Sequence, residues 1–523
     1  MKRKKLILNA LILTFTTMML GFIHMAFRVY LSNKIGAEGM GLFQLIMSIN
    51  VVTSTLAISG IRITTTRLVA EELGKGNFYK IKNIVKKGIV YSLFFSILSS
   101  TLLYYFSEFI SIMLIHDTRA IIPLKIISCS LPFVGICSCL NGYFYGCRKV
   151  IKSVSADIIE SVTMMTIIIL LMSSFLPMGL DFTCSLVAVG MAVGIIISTL
   201  YSYILYIFEK NPTHYTLSKK DNKCSLIEIA CIAFPIACSA YIQTSLRTLE
   251  DILIPDALRK FGSSNAASLA AFGMIKGMVL PILVFPSIFL ASFSTLIIPE
   301  ISEANALNQR KRVNYIISKV LKFTLLIAMF ATGLFIIFSK ELGMAIYNSQ
   351  EVGVMMKILA PLIPLMYLDR IVDGSLNALN HQMSTLKYNL IDMVVRIFII
   401  YYFIPRKGIS GFIMVIFIST ILNASLSLNR LLKVTNLDFH ILDWVIKPFI
   451  CVSISAYLSK FLFNIIEINP LISIQIILVL TLYFIFLFLF GCLKKKDIMW
   501  FMDGFKNEVK NVECSNINIY KQF

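Results

Sequence analysis

Charge is scarce in this 523-residue chain. Only 15% of its residues are Asp, Glu, Lys or Arg, against about 25% in soluble domains. Two tryptophans, five histidines and no long polar block leave no stretch from which a soluble catalytic domain could be built. Neither GxxxxGK(S/T) nor HExxH occurs, so nucleotide hydrolysis and zinc catalysis lack their usual carriers. The 11 cysteines are scattered, and Cys137, Cys139 and Cys147 have no histidine at metal-ligand spacing, which leaves them as small packing residues.

What fills the chain is apolar: 57% of residues are hydrophobic and the mean hydropathy is +0.82. A window of about 19 residues picks out runs near 6–31, 41–66, 84–106, 120–143, 156–176, 182–208, 227–248, 268–297, 314–338, 354–377, 388–404, 409–429, 444–463 and 470–492. Each is close to the roughly 20 residues that cross a bilayer as a helix. Period-2 alternation is absent, which excludes an outer-membrane barrel. The expected class is an all-α polytopic membrane protein of about fourteen helices. The start, "MKRKKLILNALILTFTTMML", has a basic head like a signal peptide, but its apolar body is too long and lacks a small-x-small cleavage site, so it reads as the uncleaved first helix.

The positive charges then set orientation. With the N-terminus inside, about 31 Lys and Arg fall in inner segments, before Leu6, in 67–88, 148–152, 210–223 and 310–322, around Lys387, at Arg430 and Lys433, and from Lys494 on; about 7 fall outside. Both termini are expected in the cytoplasm of a cell-membrane protein. The net charge of +20 is explained by these inner loops beside an anionic leaflet, not by nucleic-acid binding.

The chain also repeats. At an offset of 232, "AEELGKGNFYK" from Ala70 lies over "SEANALNQRKR" from Ser302, and "NGYFYGCRKVIKSVSADIIE" from Asn141 over "DGSLNALNHQMSTLKYNLID" from Asp373. The same offset pairs Pro132 with Pro364 and Lys125 with Lys357. Six helices per repeat preserve direction across the membrane, so the halves are expected to be parallel repeats with the substrate site between lobes. The expected division is an N-lobe 1–208, a cytoplasmic linker 209–224, a C-lobe 225–432, two further helices in 433–492 and a cytoplasmic tail 493–523.

Ionisable residues at bilayer depth cost about 2.5–3.5 kcal/mol on insertion scales and mark cavities or pairs. The candidates are Arg28 on the first helix, Arg62 on the second, Arg247, Glu250 and Asp251 near the end of the seventh, Lys276 on the eighth, Asp369, Arg370 and Asp373 on the tenth, and Asp392 and Arg396 on the eleventh. The basic members are substrate-binding candidates, since guanidinium forks suit phosphate oxygens. The acids are ion-coupling or pairing candidates. Asp369 and Arg370 are expected to form an internal pair or an end-of-helix network, and Asp392 with Arg396, spaced i,i+4, an intrahelical pair.

Fourteen helices, the 6+6 duplication, "KIGAEGMGLFQL" after the first helix and "SGIRITTTRLVAEELGKGN" closing the second together resemble the multidrug/oligosaccharidyl-lipid/polysaccharide exporter superfamily. Within it the likeness is to the flippases of polysaccharide units and peptidoglycan (lipid II) precursor, among them the stage V sporulation type. The resemblance implies a flippase that moves an undecaprenyl-pyrophosphate-linked sugar, a peptidoglycan precursor for spore cortex, to the outer leaflet by alternating access. It implies no covalent chemistry and no cofactor, and its partners are the lipid-linked sugar and membrane lipids. Flippases of peptidoglycan precursor carry essential arginines on their first, second and eighth helices. Arg28 and Arg62 match the first two, and Lys276 departs from the third. A cation-coupled multidrug exporter of the same superfamily, or an exporter of another polysaccharide unit, remains the alternative; the former favours acids where the first two helices here offer Arg28 and Arg62.

Overall fold

A computed structural model describes residues 2–209, 226–435, 437, 439–465, 472–494, 496–497 and 499. Among these residues there is no strand, and seventeen α-helices follow one another. In chain order they are α1 (Lys2–Ile58), α2 (Ile61–Lys75), α3 (Phe78–Phe109), α4 (Ile121–Gly146), α5 (Val150–Phe175), α6 (Leu180–Ile207), α7 (Leu226–Lys260), α8 (Asn265–Phe272), α9 (Leu280–Val284), α10 (Ser287–Ala306), α11 (Arg310–Ile337), α12 (Ser339–Tyr347), α13 (Gln350–Leu359), α14 (Ile363–Ala378), α15 (Gln382–Thr435), α16 (Lys447–Ile465) and α17 (Ile472–Leu489). The expected linker falls outside the described residues except for Glu209, and the expected tail is described only at 493, 494, 496, 497 and 499.

Among the described residues twelve segments are long and apolar enough to cross a membrane, so the chain is a multi-pass membrane protein. Two of them, Thr14–Lys75 with 62 residues and Gln382–Thr435 with 54, are about 93 and 81 Å long at 1.5 Å per residue, far beyond a core of about 30 Å. Each contains a glycine at positive φ, Gly36 (69°) in α1 and Gly408 (57°) in α15. The turn expected over several residues after the first helix is therefore one left-handed glycine, and the chain resumes helical geometry at once. A second break, at Ser59 and Gly60 (φ 43° and 72°), divides the run expected as 41–66. The run expected as 268–297 is interrupted as well: a π-helical turn at Gly273–Val279 leads into α9, and Phe285 and Pro286 separate α9 from α10.

Contacts divide the chain into two compact units. One comprises Ala26–Gly277 with Ile400–Ile409; the other comprises Met1–Met25, Met278–Ile399 and Ser410–Phe523. These borders cut α1 between Met25 and Ala26 and the eighth apolar run between Gly277 and Met278, and do not coincide with the lobes expected from the repeat.

The interval of 232 nevertheless recurs in the backbone. Left-handed residues at 76, 116 and 148 (Gly, His, Arg) are matched at 308, 348 and 380, all Asn. Helices begin at 78 and 310 and again at 150 and 382, and end at 146 and 378. Asp117 caps the turn before α4 by accepting from the Arg119 amide, and Ser349 caps α13 by accepting from Val352. A left-handed residue just past a helix satisfies the last carbonyls, and Asn adopts that conformation more readily than His or Arg.

Candidate functional site

In the 26–277 unit the second part of α1 lies almost against the backbone of α8. A methyl group on Gly41 would sit 2.0 Å from the Leu269 carbonyl oxygen, and one on Gly273 would sit 2.1 Å from that of Ala37. Only glycine allows this approach, which brings Gln44 and Ser48 of α1 up to α7 and to the π-helical turn.

That turn carries Lys276. Five residues on, Pro281 has no N–H, so the Gly277 carbonyl loses its i+4 donor. Arg28 replaces it: Nε donates to the Gly277 carbonyl at 3.0 Å, and Nη2 donates to Gln44 Oε1 at 2.5 Å. Lys276 Nζ donates to Glu250 Oε1 at 2.8 Å. It also lies 3.1 Å from Asp251 Oδ1, where the alignment makes no hydrogen bond. The other Asp251 oxygen accepts from Ser48 Oγ at 2.5 Å, and Thr248 Oγ1 donates to the Ser48 carbonyl at 2.9 Å. The Glu250 and Asp251 side chains are 6% and 15% exposed. Two cations and two carboxylates thus form one largely buried cluster that is neutral without a ligand. Removing one partner of a buried pair costs about 3–5 kcal/mol, because the other is left uncompensated.

Two basic candidates of this unit lie outside that network. Arg62 is exposed on α2, its guanidinium 5.2 Å from the centre of the Tyr145 ring. Arg247 is exposed on α7 and forms no ion pair among the described residues.

The other unit holds the three remaining acidic candidates, Asp369 and Asp373 on α14 and Asp392 on the first part of α15, and the later part of α15 supplies their polar partners. Asn423 Nδ2 donates to Asp369 Oδ2 at 2.8 Å and to Asn389 Oδ1 at 3.3 Å. Asp373 accepts from Asn389 and Ser427, both at 3.4 Å. Asp392 accepts from Ser419 at 2.7 Å and from Arg396 Nη2 at 2.5 Å, the expected i,i+4 geometry. Two acceptors in this network, Asp369 Oδ1 and Asn423 Oδ1, are buried with no hydrogen-bond partner among the described residues. Arg370 does not pair with Asp369: successive side chains on a helix point about 100° apart, and Arg370 Nη1 donates to Ser287 Oγ at 2.8 Å. No three His, Cys, Asp or Glu residues among those described come together as metal ligands.

Sequence reasoning missed the neutral members, Gln44, Ser48, Asn389, Ser419, Asn423 and Ser427. A signal was present: Gln44 with Ser48, and Ser419, Asn423 and Ser427, recur at four-residue spacing inside apolar runs, which puts each set on one helix face.

The described residues are almost wholly helical and multi-pass, with polar clusters on otherwise apolar helices, and comparison with known proteins narrows the class. Residues 5–257, just under half of the chain, match the family described as "Polysaccharide biosynthesis protein". The chain is similar to stage V sporulation protein B of Bacillus subtilis (strain 168), with 26% identity over 455 residues, 85% of this chain and 87% of that protein. It is similar also to sporulation protein YkvU of the same organism, at 23% over 283 residues, 53% of this chain and 61% of that protein. Among solved structures, lipid II flippase MurJ in an inward closed conformation superposes with a TM-score of 0.65 at 18% identity, covering 92% of this chain and 98% of that one. An inward-facing multidrug resistance MATE transporter gives 0.63 at 13% identity, covering 79% and 94%. At these identities the two structures speak for the fold.

Proposed function

We propose that this protein is a flippase that carries a lipid-linked sugar pyrophosphate, a peptidoglycan precursor used in spore cortex, from the inner to the outer leaflet by alternating access. The observation that carries the reading is the cluster of Arg28 and Lys276 on α1 and the π-helical turn, two cations kept at membrane depth in a setting formed by glycine-tight packing. A pyrophosphate crossing the membrane loses its water, and such groups replace it. The relatives' names, a stage V sporulation protein and a lipid II flippase, agree with this substrate class. Arg62 and Arg247, exposed and without an ion pair among the described residues, and Arg370 are further phosphate ligands in this reading.

The same reading makes the α14–α15 network the coupling site. Among the described residues Asp369 Oδ1 and Asn423 Oδ1 are buried acceptors without donors, which suits a proton or a monovalent cation that supplies the missing partner. That would join substrate movement to an ion gradient, with Asp373 and Asp392 as its neighbours.

Counting α1 and α15 as two crossings each gives fourteen helices, with both termini inside. The recurrence of breaks, caps and helix starts at 232 residues supports two parallel six-helix repeats, 1–208 and 225–432. Single cysteines at Glu38 and Asn77, in a background without the native cysteines, should then label from opposite sides with an impermeant thiol reagent. Labelling of both from one side would refute the topology. For the function, purified protein in vesicles is offered lipid-linked peptidoglycan precursor and, separately, another lipid-linked polysaccharide unit. Flipping of the first but not the second is expected; movement of neither would refute the flippase, and movement of the second alone would reassign its substrate.

A further inference from the structure

We infer that Glu250 is an internal counter-anion of Lys276, one that the headgroup's phosphates must displace, and that this exchange makes the site prefer pyrophosphate to a single phosphate. The inference rests on the flippase reading above and adds the residue that sets its headgroup specificity.

The two carboxylates of the cluster are held unequally. Asp251 has one oxygen fixed by the Ser48 hydroxyl of α1 at 2.5 Å, and its other oxygen meets Lys276 without hydrogen-bond alignment. Glu250, its neighbour on α7, makes the aligned bond to Lys276 Nζ at 2.8 Å. Asp251 is thus tied to the scaffold, and Glu250 occupies the position on the ammonium that an incoming anion needs. An ammonium is a compact point charge that accepts one anion in place of another without the geometric demand of a guanidinium. Lys276 also sits in a π-helical turn, a helix irregularity that recurs at functional sites.

Charge balance makes the exchange selective. Arg28, Lys276, Glu250 and Asp251 sum to zero, so any phosphate that enters meets a cation already neutralised. A headgroup with one phosphate competes against a carboxylate with little or no advantage in charge. A pyrophosphate brings more charge and a second set of oxygens within reach of Arg28, and at close quarters that difference decides the contest.

The test is binding of polyprenyl pyrophosphate and polyprenyl monophosphate to the purified full chain in lipid nanodiscs. Wild type should bind the pyrophosphate more tightly. Glu250→Gln, which removes the competitor's charge, should tighten monophosphate binding by about tenfold and narrow the ratio between the two lipids. In Glu250→Gln/Lys276→Met that gain should vanish. If Glu250→Gln fails to fold, Glu250→Asp keeps the charge but withdraws it by one methylene, and should shift the ratio in the same direction by about threefold. An unchanged ratio in a folded Glu250 variant overturns the inference and leaves the flippase reading intact, whereas absence of pyrophosphate-lipid binding to wild type overturns both.

Discussion

Two three-helix regions of this chain follow the same backbone plan 232 residues apart and carry different chemistry. In α4–α6, the positions equivalent to Asp369, Asp373, Asn389, Asp392 and Arg396 are Cys137, Asn141, Asp157, Glu160 and Met164. Asp157 and Glu160 are half-buried, and among the described residues neither has a hydrogen-bonded partner of the kind that holds Asn389 and Asp392. The helix that packs on α5 explains why. α6 approaches through glycine: a methyl on Gly194 would lie 2.9 Å from the Glu160 carbonyl oxygen, and one on Gly190 2.7 Å from Ile168 Cγ1. The later part of α15 instead presents Ser419, Asn423 and Ser427, and each donates to an acid. A scaffold fixed by caps and helix ends can therefore hold either a close-packed helix pair or a polar network, and a few side chains on one face decide which.

The largest expected effect lies where the regions differ most. Asp369→Asn replaces the carboxylate that has a buried, donor-less oxygen, and ion-driven flipping should fall about 100-fold, the equivalent of ~3 kcal/mol of lost charged contact. Glu160→Gln, at the place equivalent to Asp392, should change the rate by less than about threefold, no more than a modest hydrogen bond is worth. Rates measured in vesicles with an imposed proton or sodium gradient decide the matter. Equal losses in the two variants would mean that both regions couple, and the contrast would fail.

Arg28 gives the next effect, and it separates cavity from scaffold. Substitution by alanine removes a charged contact of about 1.5–3 kcal/mol, and flipping at matched protein amounts should fall by roughly one to two orders of magnitude. Lysine should rescue partly, since a point charge keeps the attraction and loses the fork. The structure adds a second readout: Arg28 Nε donates to a carbonyl deprived of its donor by Pro281. A purely structural Arg28 predicts a lowered melting temperature in alanine and lysine variants alike, with flipping lowered only in proportion to folded protein. Wild-type flipping in both would refute the substrate role.

These contrasts show what could be read in advance. The all-helical class and the approximate spans follow from apolar length, because a bilayer constrains every crossing in the same way. Arg28, Lys276, Glu250 and Asp251 were visible as costly charges, yet their assembly was not, because it depends on Gly41 and Gly273 as contact surfaces and on a π-helical turn that hydropathy does not register. Arg370 shows the converse. Of the internal pair or end-of-helix network expected for it with Asp369, the pair does not form, since helix geometry points the two apart, and each bonds a different polar partner. Asn389 and Asn423 carry no charge, so a search for buried ions passed over them.

Lipid-facing and protein-facing surfaces can be compared in the same way. Phe94 of α3 is 65% exposed, and Leu326, 232 residues later on α11, is 4% exposed beneath Cys451 of α16 and Tyr483 of α17. The Tyr483 hydroxyl donates to the Leu326 carbonyl at 2.9 Å. The last two helices therefore convert an outer face into a packed one. Leu326→Ala should cost about 2–4 kcal/mol as a cavity, whereas Phe94→Ala, which exchanges one apolar surface for lipid, should cost less than about 1. Thermal unfolding in detergent measures both, and similar losses would remove the distinction between these faces.

The smallest effect is expected where the chain leaves α17. Asp497 accepts from Lys319 and Lys322 of α11, its side chain only 3% exposed. Burial opposes its ionisation, but the two ammonium groups prevail and hold its pKa at about 2, below the usual value of about 4. The sign follows from that depression: the ionised carboxylate stabilises the folded chain fully above pH about 4, and the contribution is lost as pH falls towards about 2. Asp497→Asn should lower the melting temperature by a few degrees at pH 7. The gap between variant and wild type should stay constant down to pH about 4 and close between there and about 2, even as both proteins lose stability from other carboxylates. A gap that persists at the lowest pH would show that Asp497 acts through its shape and hydrogen bonds alone, and α17 would be docked on α11 by its apolar face without help from the charge.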